Sequence, residues 1–462
     1  MKLRLAAASL LASAALVWVL LPAKHEHHVV VISVDGLAPE YYLKPQEFGL
    51  NLPNLQQLRD SGSWAVQVLS DYPSLTFPSH TSIVTGVLPA RHGIVDNTIF
   101  DPTHGSRNWY LNASAIKVPT LWDLARQHGM TTGAVLWPVT IGSRIDFLVP
   151  EAFPTPPNMT TLEFIRGVST PGLIDSIVPN LPTGIVERLS DAEERDRVIT
   201  LAAIQLIRTY KPNLMLIHLE EADSKQHDFG THAAEVHQAF VREDAHIGEI
   251  VQAVEKAGLR SSTTFVITGD HGFRDVHLSL QPNVILRKAG LLQTNSRGEI
   301  AEWKAAARSG TIRIADSGDR DVATRARMAF ENLMTGPTRG IFRIVDHAEL
   351  QSLGADPEAA FMIEPAEGYM ASDGFENDEF VIPALKRGAH GFLPANSAMY
   401  TGLIVSGYGV IPGVQIPQAR LIDIAPTVAK LLGFEMSNID GAPLTSLLNS
   451  RPVPYSAPTA KR

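Results

Sequence analysis

Apolar residues along the chain follow two alternating rhythms. Short runs rich in β-branched residues at 29–34, 64–69, 132–137, 214–219 and 264–268 have the length and composition of buried strands. Between them, the stretches 54–59, 120–128, 191–209 and 233–257 repeat apolar positions at three- and four-residue spacing, which predicts helices. Strand–helix alternation of this kind packs as an α/β fold, a doubly wound, mostly parallel sheet with helices on both faces. The rhythm breaks over residues 291–385. There the order reads strand (311–315), helix (320–334), strand (341–345), short helix (346–353) and strand (360–363), flanked by Ser309-Gly310 and Ser372-Asp373-Gly374. That order predicts a small α+β insert beside the main sheet. Strand signals return at 403–406, and 421–432 gives a closing helix. The expected organisation is a core of residues 29–290 and 386–450, an insert at 291–385, and a disordered tail at 451–462, rich in proline and small residues.

The N-terminus has a different pattern. Lys2 and Arg4 precede an apolar run from Leu5 to Pro22 that only Ser9 and Ser13 interrupt, the basic, apolar, small-residue layout of a secretory signal. Ala12-Ser13-Ala14 is a candidate cleavage site, and the run is also just long enough to span a bilayer if it stays uncleaved. Residues 1–28 are therefore expected to be a signal peptide or N-terminal anchor, with the body exported, periplasmic or extracellular, and touching a membrane only through that segment. His25-Glu26-His27-His28, next to it, is expected to be a solvated linker.

Composition narrows the chemistry. With 462 residues, at about 150 per domain, the chain has room for two to three structural units. Lysine and arginine total 39 against 48 acids, a net charge of −9, which argues against a sequence-independent nucleic-acid binder. No nucleic-acid partner is expected. There are 0 cysteines, which excludes disulfide scaffolds, thiolate metal sites, iron–sulfur clusters and cysteine nucleophiles. Any metal must be held by carboxylates and the 16 histidines.

Three of the strand runs end alike. One leads into Asp35-Gly36, one into Glu220-Glu221-Ala222-Asp223, and one into Asp270-His271-Gly272. Ligands of an open parallel sheet bind beyond the carboxyl ends of its strands, so three strands deliver an aspartate to one edge. Asp223 and His227 stand four apart and share a face if a helical turn follows the strand. Asp270 and His271 are adjacent and chelate together only on an irregular turn, which Gly269 and Gly272 permit. His390 lies between small residues in Gly-Ala-His-Gly-Phe. Oxygen and imidazole donors without thiolate suit catalytic Zn²⁺, and Mn²⁺ or Mg²⁺ less well. Three aspartates and three histidines suffice for two cations, which at about 4 Å separation clamp the attacking and leaving oxygens of a displacement at phosphorus. Asp71-Tyr72-Pro73-Ser74-Leu75-Thr76-Phe77-Pro78-Ser79-His80 follows a strand and opens a helix expected over 80–85, with Thr76 at its N-terminus. A hydroxyl there sits at a helix N-terminus, becomes a usable alkoxide if a metal binds it, and otherwise serves as an N-cap. Asn97, in His92-Gly93-Ile94-Val95-Asp96-Asn97, offers an amide donor.

In this order the stretches VVVISVDGL, PNLQQLRDSG, YPSLTFPSHTSIVTGVLPARHGIVDN, EEADSKQHDFG, FVITGDHG and RGAHGF, spread from Val29 to Phe392, resemble the alkaline phosphatase superfamily, and most closely its nucleotide pyrophosphatase/phosphodiesterase branch. The resemblance implies two zinc sites, one of Asp223, His227 and His390 and the other of Asp35, Asp270 and His271, the second completed by Thr76 as nucleophile. It implies that Asn97 and the amide after the nucleophile hold a phosphoryl oxygen, and that Phe77 packs beside the leaving group or base. Two in-line steps follow: Thr76 forms a phosphoryl-threonine and expels an alcohol or nucleotide, and a water then releases the product. Ser79 stands where the family commonly has asparagine, and residues 139–153 do not reproduce the tyrosine-bearing nucleotide pocket. The expected substrate is therefore a small-molecule phosphodiester carrying a nucleotide or a lipid head group.

Rival readings are separable on residues. A phosphomonoesterase of the same superfamily needs extra positive charge for a third oxygen, and no arginine or lysine inside the motifs plainly supplies it. A sulfatase needs Cys/Ser-x-Pro-x-Arg, which TFPSH is not. An exported metal-binding protein without activity would tolerate loss of Thr76 and Asn97, and both are present.

Overall fold

A computed structural model describes residues 27–103, 108–152, 155–296, 299–375 and 378–449; most of the expected signal or anchor, and the expected tail, lie outside the described residues. The main sheet has eight strands: β1 (His28–Val34), β2 (Ser63–Ala65), β3 (Thr132–Val135), β4 (Phe147–Val149), β5 (Leu214–Leu219), β6 (Thr263–Thr268), β7 (Leu403–Gly407) and β8 (Gln415–Ile416). Their spatial order is β8-β2-β7-β6-β1-β5-β3-β4. From β6 through β4 every neighbour is parallel, whereas β7 runs antiparallel to both β6 and β2. The expected doubly wound α/β fold is the observed one.

β1 is central, and all seven of its residues are buried. Its side chains alternate between faces. Val30, Ile32 and Val34 join Ile199, Leu206, Ile247 and Ile250, whereas Val29 and Val31 join Leu121, Ala125, Ala425 and Val428. The helices that supply these residues are α4 and α6 on one face and α3 and α7 on the other, in the series α1 (Pro53–Ser61), α2 (Thr76–Thr85), α3 (Leu121–Gln127), α4 (Ala192–Tyr210), α5 (Glu221–Phe229), α6 (Ala234–Lys256) and α7 (Ile424–Leu432). Their starts follow local chemistry. Thr120 and Asp123 form a capping box on α3, and Asp191 accepts from the Glu193 amide at 2.9 Å to open α4.

Three local expectations need correction. Of the linker expected at 25–28, His25 and Glu26 lie outside the described residues, and His28 is instead buried in β1 with Nδ1 2.9 Å from the Pro212 carbonyl. The strand expected at 132–137 stops at Val135, because Leu136 takes φ 56°, the left-handed region that no strand continues through. The pair Ser309-Gly310, read as a flank of the insert, is a hairpin turn with φ 47° and 83°, as a two-residue type I′ loop requires.

That hairpin joins Ala305–Arg308 to Thr311–Ile314 in a four-stranded antiparallel sheet with Ala359–Pro365 and Phe342–Asp346, accompanied by helices Arg320–Glu331 and His347–Ser352. A further strand, Arg274–Leu280, leaves the end of β6 and pairs with Gly368–Ala371, Val381–Pro383 and Gly388–Ala389. The chain thus returns from this smaller sheet to the carboxyl edge of the main one, beside His390.

Candidate active site

Asp35 follows β1 directly. Gly36 turns the chain with φ 73°, and a Cβ there would meet Gln226 Nε2 at 2.6 Å and the Phe273 ring at 2.8 Å, so glycine is required twice over. The Gly36 amide donates to Asp270 Oδ1 at 3.1 Å, which ties the end of β1 to the end of β6. Gly269 and Gly272 also flank a crowded turn, but neither has a positive φ. Their need is space: a Cβ on Gly269 would stand 2.3 Å from Thr401 Oγ1, and one on Gly272 would stand 2.1 Å from the Ala398 carbonyl.

α5 carries Asp223 and His227 on one face, with Asp223 Oδ1 3.6 Å from His227 Nε2. Carboxylates satisfy the orphan amides of its first turn: Asp196 accepts from Glu220 and Glu221, each at 2.9 Å, and Glu243 accepts from Ala222 at 2.9 Å. His390 Nε2 stands 3.7 Å from the same Asp223 oxygen. In the other group, His271 Nε2 is 3.4 Å from Asp35 Oδ1 and 3.1 Å from Asp270 Oδ2. The rings of His271 and His390 stack at 3.6 Å, so the two triads lie side by side. The outer nitrogens of two imidazoles are fixed: His227 Nδ1 lies 2.9 Å from the Gly388 carbonyl and His390 Nδ1 2.9 Å from that of Ser74. Each Nε2 therefore carries its lone pair toward the site.

These close contacts are not ion pairs. Burial, then neighbouring imidazoles, hold His271 well below the usual histidine value, and burial takes His390 down to about 4. Burial, then the Asp270 and Asp223 charges, hold Asp35 well above the usual carboxylate range, and burial pushes Asp270 up to about 8. Asp35 Oδ1, Asp223 Oδ1 and Asp270 Oδ2 are buried without a hydrogen-bond partner. Converging acceptors that lack donors, each facing a neutral imidazole, form a donor set that fits cations, and its oxygen–nitrogen chemistry suits zinc.

Thr76 is the first residue of α2. The N-cap is Leu75, so capping is not the task of the hydroxyl, which lies 3.4 Å from His271 Nε2. Asn97 Oδ1 accepts the Phe77 amide at 2.9 Å, so that amide is engaged and the Asn97 Nδ2 donor remains for a ligand. Phe77 itself does not face the site. Its ring is 1% exposed and packs with Ile94, Val139 and Trp109, and it is Trp109, with Phe392, that lines the adjoining cavity of about 240 Å³. Met362, Met370 and Asp373 line it as well. A larger cavity, about 450 Å³, is lined by Phe273 and Arg274 and includes none of the six triad residues. Ser79, where the family commonly has asparagine, has a fully buried hydroxyl with no partner.

Sequence reasoning missed a third convergent group, Glu151, His218 and Glu220. It already contains a cation, since Arg195 Nε donates to Glu220 Oε2 at 2.5 Å. The available signal was a histidine inside the otherwise apolar run Leu-Met-Leu-Ile-His-Leu of β5.

The model of the type I phosphodiesterase / nucleotide pyrophosphatase family matches residues 29–393. Human ectonucleotide pyrophosphatase/phosphodiesterase family member 1 is 27% identical over 248 residues, 53% of this chain and 23% of that protein. Venom phosphodiesterase 2 of Crotalus adamanteus is 23% identical over 254 residues, 54% of this chain and 27% of that protein. The match thus spans about a quarter of the length of these relatives. Among solved structures, human ectonucleotide pyrophosphatase/phosphodiesterase 5 superposes with a TM-score of 0.65 at 19% identity, covering 92% of this chain and 100% of that one. An inactive form of the murine protein in complex with AMP gives a TM-score of 0.64 at 18% identity, with the same coverage.

Proposed function

The chain belongs to the type I phosphodiesterase / nucleotide pyrophosphatase family, and from that premise we propose that it is an exported two-zinc phosphodiesterase or nucleotide pyrophosphatase working through a phosphoryl-threonine. The observation that carries the proposal is the Thr76 hydroxyl 3.4 Å from His271 Nε2, beside buried carboxylate oxygens that have no partners. Asp223, His227 and His390 would hold one zinc, and Asp35, Asp270 and His271, completed by Thr76, the other. Bound there, zinc supplies Lewis acidity that makes a hydroxyl or a water nucleophilic near neutral pH and offsets charge on phosphorus.

The chain's own residues do the rest. Thr76 Oγ forms a bond to phosphorus as the bond to the leaving oxygen breaks, and the departing alcohol or nucleotide takes up a proton. A water then attacks the phosphoryl-threonine, releases the phosphoryl product and restores the hydroxyl. Negative charge gathers at the N-terminus of the ten-residue helix α2, where amide dipoles favour it. Asn97 Nδ2 donates to a non-bridging oxygen. His80 Nδ1, 2.8 Å from the Thr76 carbonyl, holds the nucleophile's backbone. Among the described residues no lysine or arginine lines the 240 Å³ cavity, which supports a diester over a dianionic monoester. Residues 291–385 act as an insert over the site and set leaving-group preference through Met362, Met370 and Asp373. Export rests on the basic and apolar pattern of residues 1–26, outside the described residues. Among the described residues no helix is long and apolar enough to cross a membrane.

The test is a rate comparison of a p-nitrophenyl phosphodiester with p-nitrophenyl phosphate on the zinc-loaded protein, with Thr76→Ala as blank. A diester preference of about a hundredfold, about 2.7 kcal/mol in the barrier, is expected. A preference for the monoester, or a Thr76→Ala variant that retains turnover, would refute the proposal.

A further inference from the structure

His218 has no exposed surface and lies within β5, behind the ligands rather than among them. Its Nε2 is 3.1 Å from Asp35 Oδ2. The other oxygen of that carboxylate, Oδ1, faces His271 and has no hydrogen-bond partner. The two oxygens of Asp35 are thus divided, one toward a second layer and one toward the site.

What holds the ring is also specific. Its Nδ1 lies 3.3 Å from the Leu136 carbonyl, and Glu151 Oε2 stands 3.9 Å from the same nitrogen. Leu136 presents that carbonyl at φ 56°, and Val139, three residues on, sits at φ 57°. Two side-chain-bearing residues in the left-handed region within four positions mark a turn held by its contacts. Trp137, between them, packs its edge against His80, whose ring lies 4.2 Å from that of His218. His80 Nδ1 in turn stands 3.6 Å from Asp270 Oδ2. One buried layer therefore connects the turn at 136–139 to both aspartates of a single triad. Among the described residues no hydrogen bond joins His218 to the Asp223, His227 and His390 triad.

We propose that His218 is a positioning residue that grips Asp35 through Oδ2, so that Oδ1 is presented to the cation of the Asp35, Asp270 and His271 triad. The proposal rests on the two-zinc reading above. An ionised carboxylate offers only acceptors, so the neutral imidazole carries its single N–H on Nε2 and donates it to Oδ2, which fixes the rotation of the group; Nδ1, at 3.3 Å, then meets the Leu136 carbonyl without donating. Histidine orienting a ligating carboxylate is the reverse of the more frequent carboxylate orienting a ligating histidine, and it acts by the same principle. Because the contact reaches one triad and not the other, its loss is felt at one site.

The experiment uses His218→Met, which is apolar and of similar length, and His218→Gln, which keeps an N–H donor. Wild type and both variants are freed of metal and titrated with Zn²⁺ in competition with a chromophoric chelator. Wild type is expected to take up two zinc ions per chain. His218→Met should lose about 10- to 100-fold in affinity at one site and change the other by less than about threefold. His218→Gln should recover most of that loss. Should His218→Met not fold, His218→Asn, whose amide is too short to reach Oδ2, replaces it with the same expected result. Unchanged affinities, an equal loss at both sites, or a His218→Gln variant no better than the donor-free one each overturn the positioning role. A wild-type protein that takes up no zinc overturns the two-zinc reading itself, which keeps the two failures distinct.

Discussion

Zinc affinity should rise steeply between about pH 5 and 8, because the metal-free site holds protons that a cation must displace. Burial pushes Asp270 up to about 8 against the opposing donation from the Gly36 amide. Asp35 is also held well above the ordinary range, by burial and by Asp270 and Asp223. His271 and His390 add no proton to the exchange, since His271 is held well below its ordinary value and His390 at about 4. Below about pH 8, binding therefore releases at least the Asp270 proton, and affinity falls about tenfold per pH unit, about 1.4 kcal/mol. From pH 8 to 6 the loss is about fiftyfold, about 2.3 kcal/mol, and release of the Asp35 proton as well would steepen it. Exposed ligands with ordinary values would instead show a slope set by histidine and confined below about pH 7. The assay is zinc competition against a chromophoric chelator of known proton dependence, across that range. An affinity constant between about pH 6.5 and 8 would refute the reasoning. The same protons govern the stability of the chelated fold. The folded value of Asp270 lies above the unfolded 3.8, so its contribution is fully present below about pH 4 and is lost as pH rises toward about 8. A urea midpoint of the chelated protein that climbs over that window would contradict the assignment.

Three further outcomes follow from single contacts. Asp196→Ala leaves the part-buried Glu220 amide and the buried Glu221 amide without an acceptor; at about 1–3 kcal/mol for the buried one, the urea midpoint should fall and zinc bound by Asp223 and His227 should weaken. Asn97→Ala should lower kcat on a diester by about 10²- to 10³-fold with zinc content unchanged, and a variant of normal kcat would remove Asn97 from the proposed chemistry. Gly272→Ala places a Cβ 2.1 Å from the Ala398 carbonyl and 2.7 Å from that of Tyr400, both backbone atoms; a loss of about 1–3 kcal/mol is expected in thermal unfolding, and an unchanged Tm would show that the loop yields.

Much of the main sheet was legible because its strands are short, continuous apolar runs buried on both faces. Ala305–Arg308 escaped because its three alanines have little strand propensity, and its four buried residues are recognisable only beside Thr311–Ile314. Arg274–Leu280 escaped for another reason: it alternates polar and apolar residues, a half-exposed pattern unlike that of the continuous runs. In the site, Asp35, Asp223 and Asp270 were legible from their places at strand ends. The choice between Phe77 and Trp109 was not. Both are aromatic and near the motif in sequence, and which ring faces the cavity depends on how α2 packs against a segment more than thirty residues away.

The same distinction separates the proposed ligands from what controls them. A strand end fixes where a carboxylate emerges, and that is local information. Whether the carboxylate is ionised, and which of its oxygens is free, depends on groups from other elements: His218 from β5 on Asp35, the Gly36 amide and His80 on Asp270, and Asp196 of α4 on the start of α5. None of those partners lies next in sequence to the group it acts on. They meet only because parallel strands bring their carboxyl ends to one edge, where helices and loops from both faces exclude water. Burial then raises Asp35 and Asp270 and lowers His271, so that triad without metal is neutral rather than salt-bridged. A neutral cluster of acceptors tolerates burial better than three charges would, and it leaves the free oxygens for cations. The sheet edge therefore does two jobs at once: it collects the donors, and it removes the solvent that would otherwise satisfy them.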